Sequence, residues 1–276
     1  MFPRFTFYFL FLFVSSLYFA QDLTIQYEYS KREFTDSTNI ISQRSYLKIG
    51  KESSLFFSEA AYVSDSIMTE NEKNGEKINF KNLPNDLIEL FVRKKIKSKT
   101  LDCFSFEFIG HQYVYKESPN FKWKVTSTTK NILGKKVILA KTSYAGRDYE
   151  AYFAPEIPIQ DGPYKFFGLP GLILEIYDTK YNHHFLAIGI STTSKIDVNH
   201  ILEKEKFLEI SKPKYLKLKE DIQQAPLNEM KTIMSQANLT ERQDANGNMV
   251  NIPNLIKNME TKMIKEFERQ NVIEKN

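Results

Sequence analysis

Between Leu23 and Thr240 apolar and polar residues mostly alternate with period two, and turn residues interrupt the alternation. Residues 45–49 and 54–57 predict a hairpin around Gly50-Lys51-Glu52. Residues 65–85 are polar, contain Asn74-Gly75 and predict a mobile loop. Residues 86–97 fit either a short helix or a strand. In the run 101–117, Phe104, Phe106 and Phe108 fall on one face, and Ser105, Glu107 and Ile109 on the other. Phe121, Trp123 and Val125 alternate with Lys122 and Lys124, the pattern of a half-buried strand. Residues 131–134 predict a turn. Residues 136–141 and 148–154 predict paired strands across Tyr144-Ala145-Gly146-Arg147. Residues 172–177 and 184–191 predict another pair, joined by 178–182. Short consecutive strands of this kind predict a mainly β fold built on an antiparallel sheet.

From about residue 197 the period changes. Residues 198–210 and 215–222 are charged with helical spacing, and Pro213 suits a first helical turn. Pro253 opens a further helix. Its Leu255, Met259, Met263 and Phe267 recur every four residues, flanked by Ile256 and Ile264. That stripe is about one face wide and suits packing on the sheet, with a membrane-surface or partner helix as the alternative. The N-terminus has another pattern again: Arg4, an apolar run from Phe5 to Val14 broken only by Thr6, then Ser15, Ser16 and Ala20 before Gln21 and Asp22. This is the order of a secretory signal, with cleavage expected after Ala20. The apolar run falls short of the roughly 20 residues a spanning helix needs. The expected organisation is a signal peptide over 1–20 and one β-rich domain over 21–276, whose part from about 197 to 276 is helical. The mature chain is expected to have no membrane span.

Composition narrows the compartment and the chemistry. Hydrophobic residues make up 42%, enough for a sizeable core without disulfides. The single cysteine, Cys103, lies in an apolar alternating run and reads as a buried, inert thiol. The formal charge of +4 is spread among interspersed residues of both signs, and there is no nucleic-acid motif, so no nucleic-acid partner is expected.

One segment, residues 156–178, departs from the simple alternation. Asp161-Gly162-Pro163 reads as a turn. Pro170 and Gly171 fit the central positions of a type II turn, where Pro presets φ and Gly accepts positive φ, and Gly168 and Gly171 would also permit close backbone approach. Leu169, Leu172 and Ile173 are apolar, so the turn is expected to lie buried and lock two strands in register. Burying the three would contribute about 1.5–3 kcal/mol each. Gly168-Leu169-Pro170-Gly171-Leu172-Ile173 resembles the signature of the GLPGLI family. Its ordered surroundings fit as well: Trp123, Gly146-Arg147, Ala151-Tyr152-Phe153, Ile157-Pro158-Ile159, Gly162-Pro163 and Phe167. The resemblance covers roughly residues 21–200. Family members often have Trp where Tyr152 stands and a Cys near Val137, so neither is needed for a shared chemistry. The resemblance implies export in Bacteroidota-type bacteria, a mainly β fold and no established activity. It also implies a distant similarity to the bowl-shaped N-terminal domain of a secreted peptide-N-glycosidase, and with it a curved antiparallel sheet, a bowl or half-barrel, with C-terminal helices packed on it.

No catalytic signature is present. The chain lacks a nucleophile elbow, a phosphate loop and a dinucleotide fingerprint. His183-His184 would face opposite sides of a strand, so only one could join a given metal site; surface or edge histidines are the plainer reading. No cofactor or metal is expected. Three residues are candidates for ligand contact. Arg147 would either pair with a carboxylate such as Asp161 or recognise an anion on the concave face. Tyr152 and Trp123 would be either core or a stacking surface. The expected function is a non-catalytic binding or accessory protein, periplasmic or extracellular, for a peptide, glycan or lipid-like ligand. The alternatives are a structural partner of an outer-membrane transporter or secretion component, and a hydrolase of unrecognised type.

Overall fold

Each alternating run becomes a strand whose apolar set faces one side, and the faces then dictate how the sheet bends. A computed structural model describes residues 23–79, 82–95, 97–108, 111–194, 196, 198–204, 206–237, 239–243 and 247–274. The expected signal peptide, residues 1–20, lies outside the described residues. The first half contains β1 (Leu23–Arg32), β2 (Ile40–Ile49), β3 (Ser54–Ser58), α1 (Glu59–Asn74), β4 (Leu90–Lys95), β5 (Thr100–Phe108), β6 (His111–Glu117) and β7 (Lys124–Ile132). Then come β8 (Lys135–Tyr144), β9 (Arg147–Ala154), β10 (Leu172–Asp178), β11 (His183–Ser191), α2 (Asn199–Lys204), β12 (Phe207–Glu209) and α3 (Lys212–Gln224). α4 (Asn228–Gln236), β13 (Glu241–Gln243), β14 (Met249–Asn251) and α5 (Ile252–Arg269) follow. Among the described residues, twelve strands form one open sheet in the order β12-β6-β5-β4-β3-β2-β1-β11-β10-β9-β8-β7. Neighbours are antiparallel except β12, which runs parallel to β6. β13 and β14 form a separate small hairpin.

The sheet curls. Eight inter-strand steps separate β6 from β9, roughly 38 Å in a flat sheet at ~4.8 Å per step. Yet Lys165 Nζ lies 2.9 Å from the Tyr115 hydroxyl of β6, and the adjacent Phe166 ring lies 4.8 Å from the Tyr149 ring of β9. Both arms of the sheet therefore meet one inserted segment. The inner face carries a core that includes Ile25, Tyr27, Val92, Cys103, Tyr149 and Ile176. On the outer face of β2 to β6, Phe57, Phe91 and Phe104 pack with Ile201 and Leu202 of α2, and Ala61 and Tyr62 of α1 add to the cluster. α3 packs on β6, with Tyr215 stacked 4.6 Å from Tyr115, and α5 packs on α3. No helix among the described residues is long and apolar enough to cross a membrane.

Several local expectations change. The polar stretch expected to be a mobile loop contains α1. Ser58 caps it by accepting from Ala61 N (3.0 Å), and Gly75 ends it at φ 68°. Asn74-Gly75 is thus a helix stop rather than a loop. The ambiguous run 86–97 contains strand β4. Phe121 and Trp123 precede β7 instead of belonging to it, and Val125 is 53% exposed. The helical run 198–210 holds only the short α2 before Phe207–Glu209 joins the sheet edge. In α5 the apolar stripe divides: Ile252 and Ile256 bury against Leu227 and Met234, while Leu255 and Met259 stay exposed.

Candidate functional site

β9 and β10 pair directly, yet residues 155–171 between them enter the concavity instead of making a tight turn. Leu169, Leu172 and Ile173 are buried, while Gly168 and Pro170 face outward. Positive φ falls on Gly168 (95°) and not on Gly171, so Pro170-Gly171 is not the expected type II turn. Gly171 is required by closeness: a Cβ there would overlap the Ala154 carbonyl. Gly162 likewise lies against Ile173, whose Cβ would be 2.8 Å from an added methyl. Trp123 Nε1 donates to Phe167 O (2.9 Å), fastening the segment to the chain before β7.

Three charged nodes hold the inner face together. Lys94 on β4 and Asp161 in the insertion pair at 2.6 Å with both side chains fully buried, and Lys94 also donates to Gly162 O. Burial pulls the Lys94 ammonium below its usual value, against the opposing pull of Asp161. The second node gathers Lys165, Lys212, Glu117 and Glu274. Lys165 contacts Glu117 at 2.6 Å and also Glu274; Lys212 contacts Glu117, and Glu274 at 3.1 Å. Burial alone would lower the Lys165 pKa, but Tyr164, Cys103, Glu274 and Tyr115 outweigh it and hold it well above its usual value. Burial would raise Glu274; Lys165 and Lys212 overcome that and hold it at about 2. Two cations and two carboxylates thus balance, with Lys165 fully buried and Lys212 28% exposed. Burial pushes the neighbouring Cys103 thiol up to about 12, so it stays protonated.

The third node begins at Asp178, which ends β10. Its carboxylate accepts from Asn182 N (2.6 Å), His183 N (2.8 Å) and Arg147 Nη1 (3.1 Å). Arg147 Nη2 then reaches Asn271 Oδ1 (2.8 Å) and Val272 O (2.6 Å). His183 Nε2 lies 3.1 Å from the same carbonyl, which can only accept, so the ring proton is on Nε2 and Nδ1 accepts from Tyr29 (2.8 Å). Burial first, then Arg147, lowers the His183 pKa to about 3, keeping the ring neutral. Between the second and third nodes, under residues 270–274, lies a cavity of about 320 Å³ lined by Tyr29, Tyr115, Tyr164, Tyr215 and Glu274 among others.

The three sequence candidates lie apart. Arg147 opens β9 rather than sitting in the turn, faces inward, and is paired with Asp178 rather than Asp161. Tyr152 is on the outer face, under the Lys130 ammonium at 3.9 Å and opposite Glu175. Trp123 serves the insertion. His183 and His184 do face opposite sides, but His183 is buried, not a surface histidine, while His184 bonds Glu175 at 2.9 Å on the outer face. No group of three or more metal-capable side chains occurs among the described residues. Lys94, Lys165, Glu117 and Glu274 were missed. Lys165 carried a signal, a charge inside the apolar run Tyr164–Phe167; Glu274 carried none.

Residues 145–175, which hold Arg147, Tyr152 and the insertion, match a family model described as "Protein of unknown function (Porph_ging)". That description does not carry the GLPGLI name suggested by the hexapeptide. A search of the curated proteins returns no match. Two solved structures of PNGF-II, in C2 and P21 space groups, are similar, each with 18% identity and TM-scores of 0.52 and 0.51. Each alignment covers 72% of this chain, but 32% and 33% of the PNGF-II chains, so the chain spans about a third of their length. At that identity the likeness is one of fold.

Proposed function

We propose that the chain is an exported, non-catalytic binding or accessory protein of the bacterial envelope, periplasmic or extracellular, whose ligand enters the tyrosine-lined cavity of the inner face. The observation that carries this reading is the cavity itself, about 320 Å³, with aromatic walls and fixed polar groups at its edge. The local chemistry supports binding over turnover. Glu274, held at about 2, cannot donate a proton near neutrality; Cys103 does not ionise there; both His183 nitrogens are engaged. The apolar N-terminal run and the match to Porph_ging support export from a Bacteroidota-type cell. Native mass spectrometry of residues 21–276 made in a bacterial periplasm tests it. We expect an added small-molecule or peptide mass whose occupancy falls at least tenfold in Gln223→Trp, which narrows the cavity. A clean apo mass, persisting after incubation with periplasmic extract, would overturn the reading.

A second reading has its own observation. Met230, Ile233, Leu239, Met249, Leu255 and Met259, on and beside α4, β14 and α5, are exposed. They suit a role beside an outer-membrane transporter or secretion component. Co-purification with membranes that is lost in Ile233→Lys would favour it.

A further inference from the structure

Residues 270–274 are gripped by their polar atoms. Val272 O accepts from Arg147 and His183, Ile273 O from the Tyr149 hydroxyl at 3.0 Å, and the Glu274 carboxylate from Tyr164 at 2.7 Å and from Lys165 and Lys212. We infer that the inner face is a binding groove for an extended acidic peptide, and that residues 270–274 occupy it in cis. The inference rests on the binding reading above, names the class of ligand, and extends its site from the cavity to the strip of inner face that residues 270–274 cover beside it.

The donors are held in place by partners outside the segment. Asp178 fixes Arg147, Tyr29 fixes His183, and Glu117 and Tyr115 hold Lys165. The groove is therefore preorganised whether or not the segment is seated. A stretch retained for packing would bury its apolar residues. Here Val272 is 38% exposed and Ile273 only half-buried against the core, whereas Asn271 is 3% exposed and the Glu274 side chain 15%. Contacts to the consecutive carbonyls of Val272 and Ile273, followed by a clamped carboxylate, read a backbone and one acidic side chain, which is how a peptide is recognised. The fit in cis is incomplete. Arg147 Nε and Asn271 Nδ2 are both buried at the junction with no hydrogen-bond partner among the described residues. A peptide in trans that satisfied them would compete with a segment whose tether gives it an effective concentration in the millimolar range. Charge permits the exchange, because an incoming carboxylate would restore the balance with Lys165 and Lys212.

The test titrates a fluorescent peptide of sequence Gln-Asn-Val-Ile-Glu, matching residues 270–274, into the full chain and into Glu274→Lys, which repels its own segment from the two lysines. Glu274→Gln, keeping shape and losing charge, takes its place if the lysine variant does not fold. We expect the variant to bind at least tenfold more tightly than the parent chain, and the peptide ending in Lys to bind neither. Free glutamate should compete only weakly, which separates peptide from simple carboxylate binding. Equal affinities for parent and variant, or no binding to a folded variant, would overturn the inference. If native mass spectrometry still shows a bound non-peptide mass, the peptide assignment falls and the binding reading stands; a clean apo mass as well removes both.

Discussion

Gly168 and Gly171 are three residues apart and are needed for different reasons. Gly171 has no room for a Cβ beside the Ala154 carbonyl, while Gly168 has room for one, 3.9 Å from Trp123 Nε1, but φ at 95°. Gly171→Ala should cost about 3 kcal/mol through overpacking, and Gly168→Ala about 1 kcal/mol through backbone strain. Urea unfolding measures both, and equal costs would contradict the assignment. Lys165→Met leaves Glu117 and Glu274 with Lys212, itself partly exposed, as their one shared cation and should cost about 3 kcal/mol. Adding Glu274→Gln should recover part of that loss, since the two residues share one network. At this scale the sequence offered two causes for Gly171, positive φ and close backbone approach; the second holds, and its partner Ala154 is set by how β9 and β10 pair. Arg147 was legible as a cation that would pair with a carboxylate; that the carboxylate is Asp178, 31 residues away, and that the pair is buried were not.

Elements were legible where alternation was long and failed where ends decided the matter. β8 to β11 follow the apolar pattern closely. α1 did not stand out, because its moderate apolar face lies among polar residues and only Ser58 and Gly75 mark its limits. β12 was hidden because three residues cannot show a period. The segment 270–274 has a pH signature of its own. Glu274 is depressed from 4.5 to about 2, so its stabilisation is fully present above pH 4.5 and is lost as pH falls toward 2. His183 is depressed from 6.5 to about 3; below pH 6.5 the unfolded chain takes up a proton that the folded chain refuses, and stability falls until about pH 3. The urea midpoint should therefore decline from pH 6.5 downward. His183→Gln should flatten the upper part of that decline, and an unchanged slope would contradict the placement of His183.

At the scale of the whole molecule, the period-two pattern told that an antiparallel sheet forms and which residues share a face, while its curvature was implied only by the family resemblance. It could not tell that β1 lies beside β11, which brings β6 and β9 around one insertion. The charged nodes depend on that closure: Tyr164 and Glu274 meet across 110 residues. No local pattern encodes such a pair, so the inner-face site became visible only once strand order was known. The most direct measurement is amide hydrogen exchange of the intact chain with and without the five-residue peptide. We expect residues 271–274 to lose protection at least tenfold on peptide addition while β10 keeps its own. Unchanged protection at 271–274, at a peptide concentration high enough to compete with the tether, would show that the segment is a fixed part of the core and that the inner face is not its ligand's site.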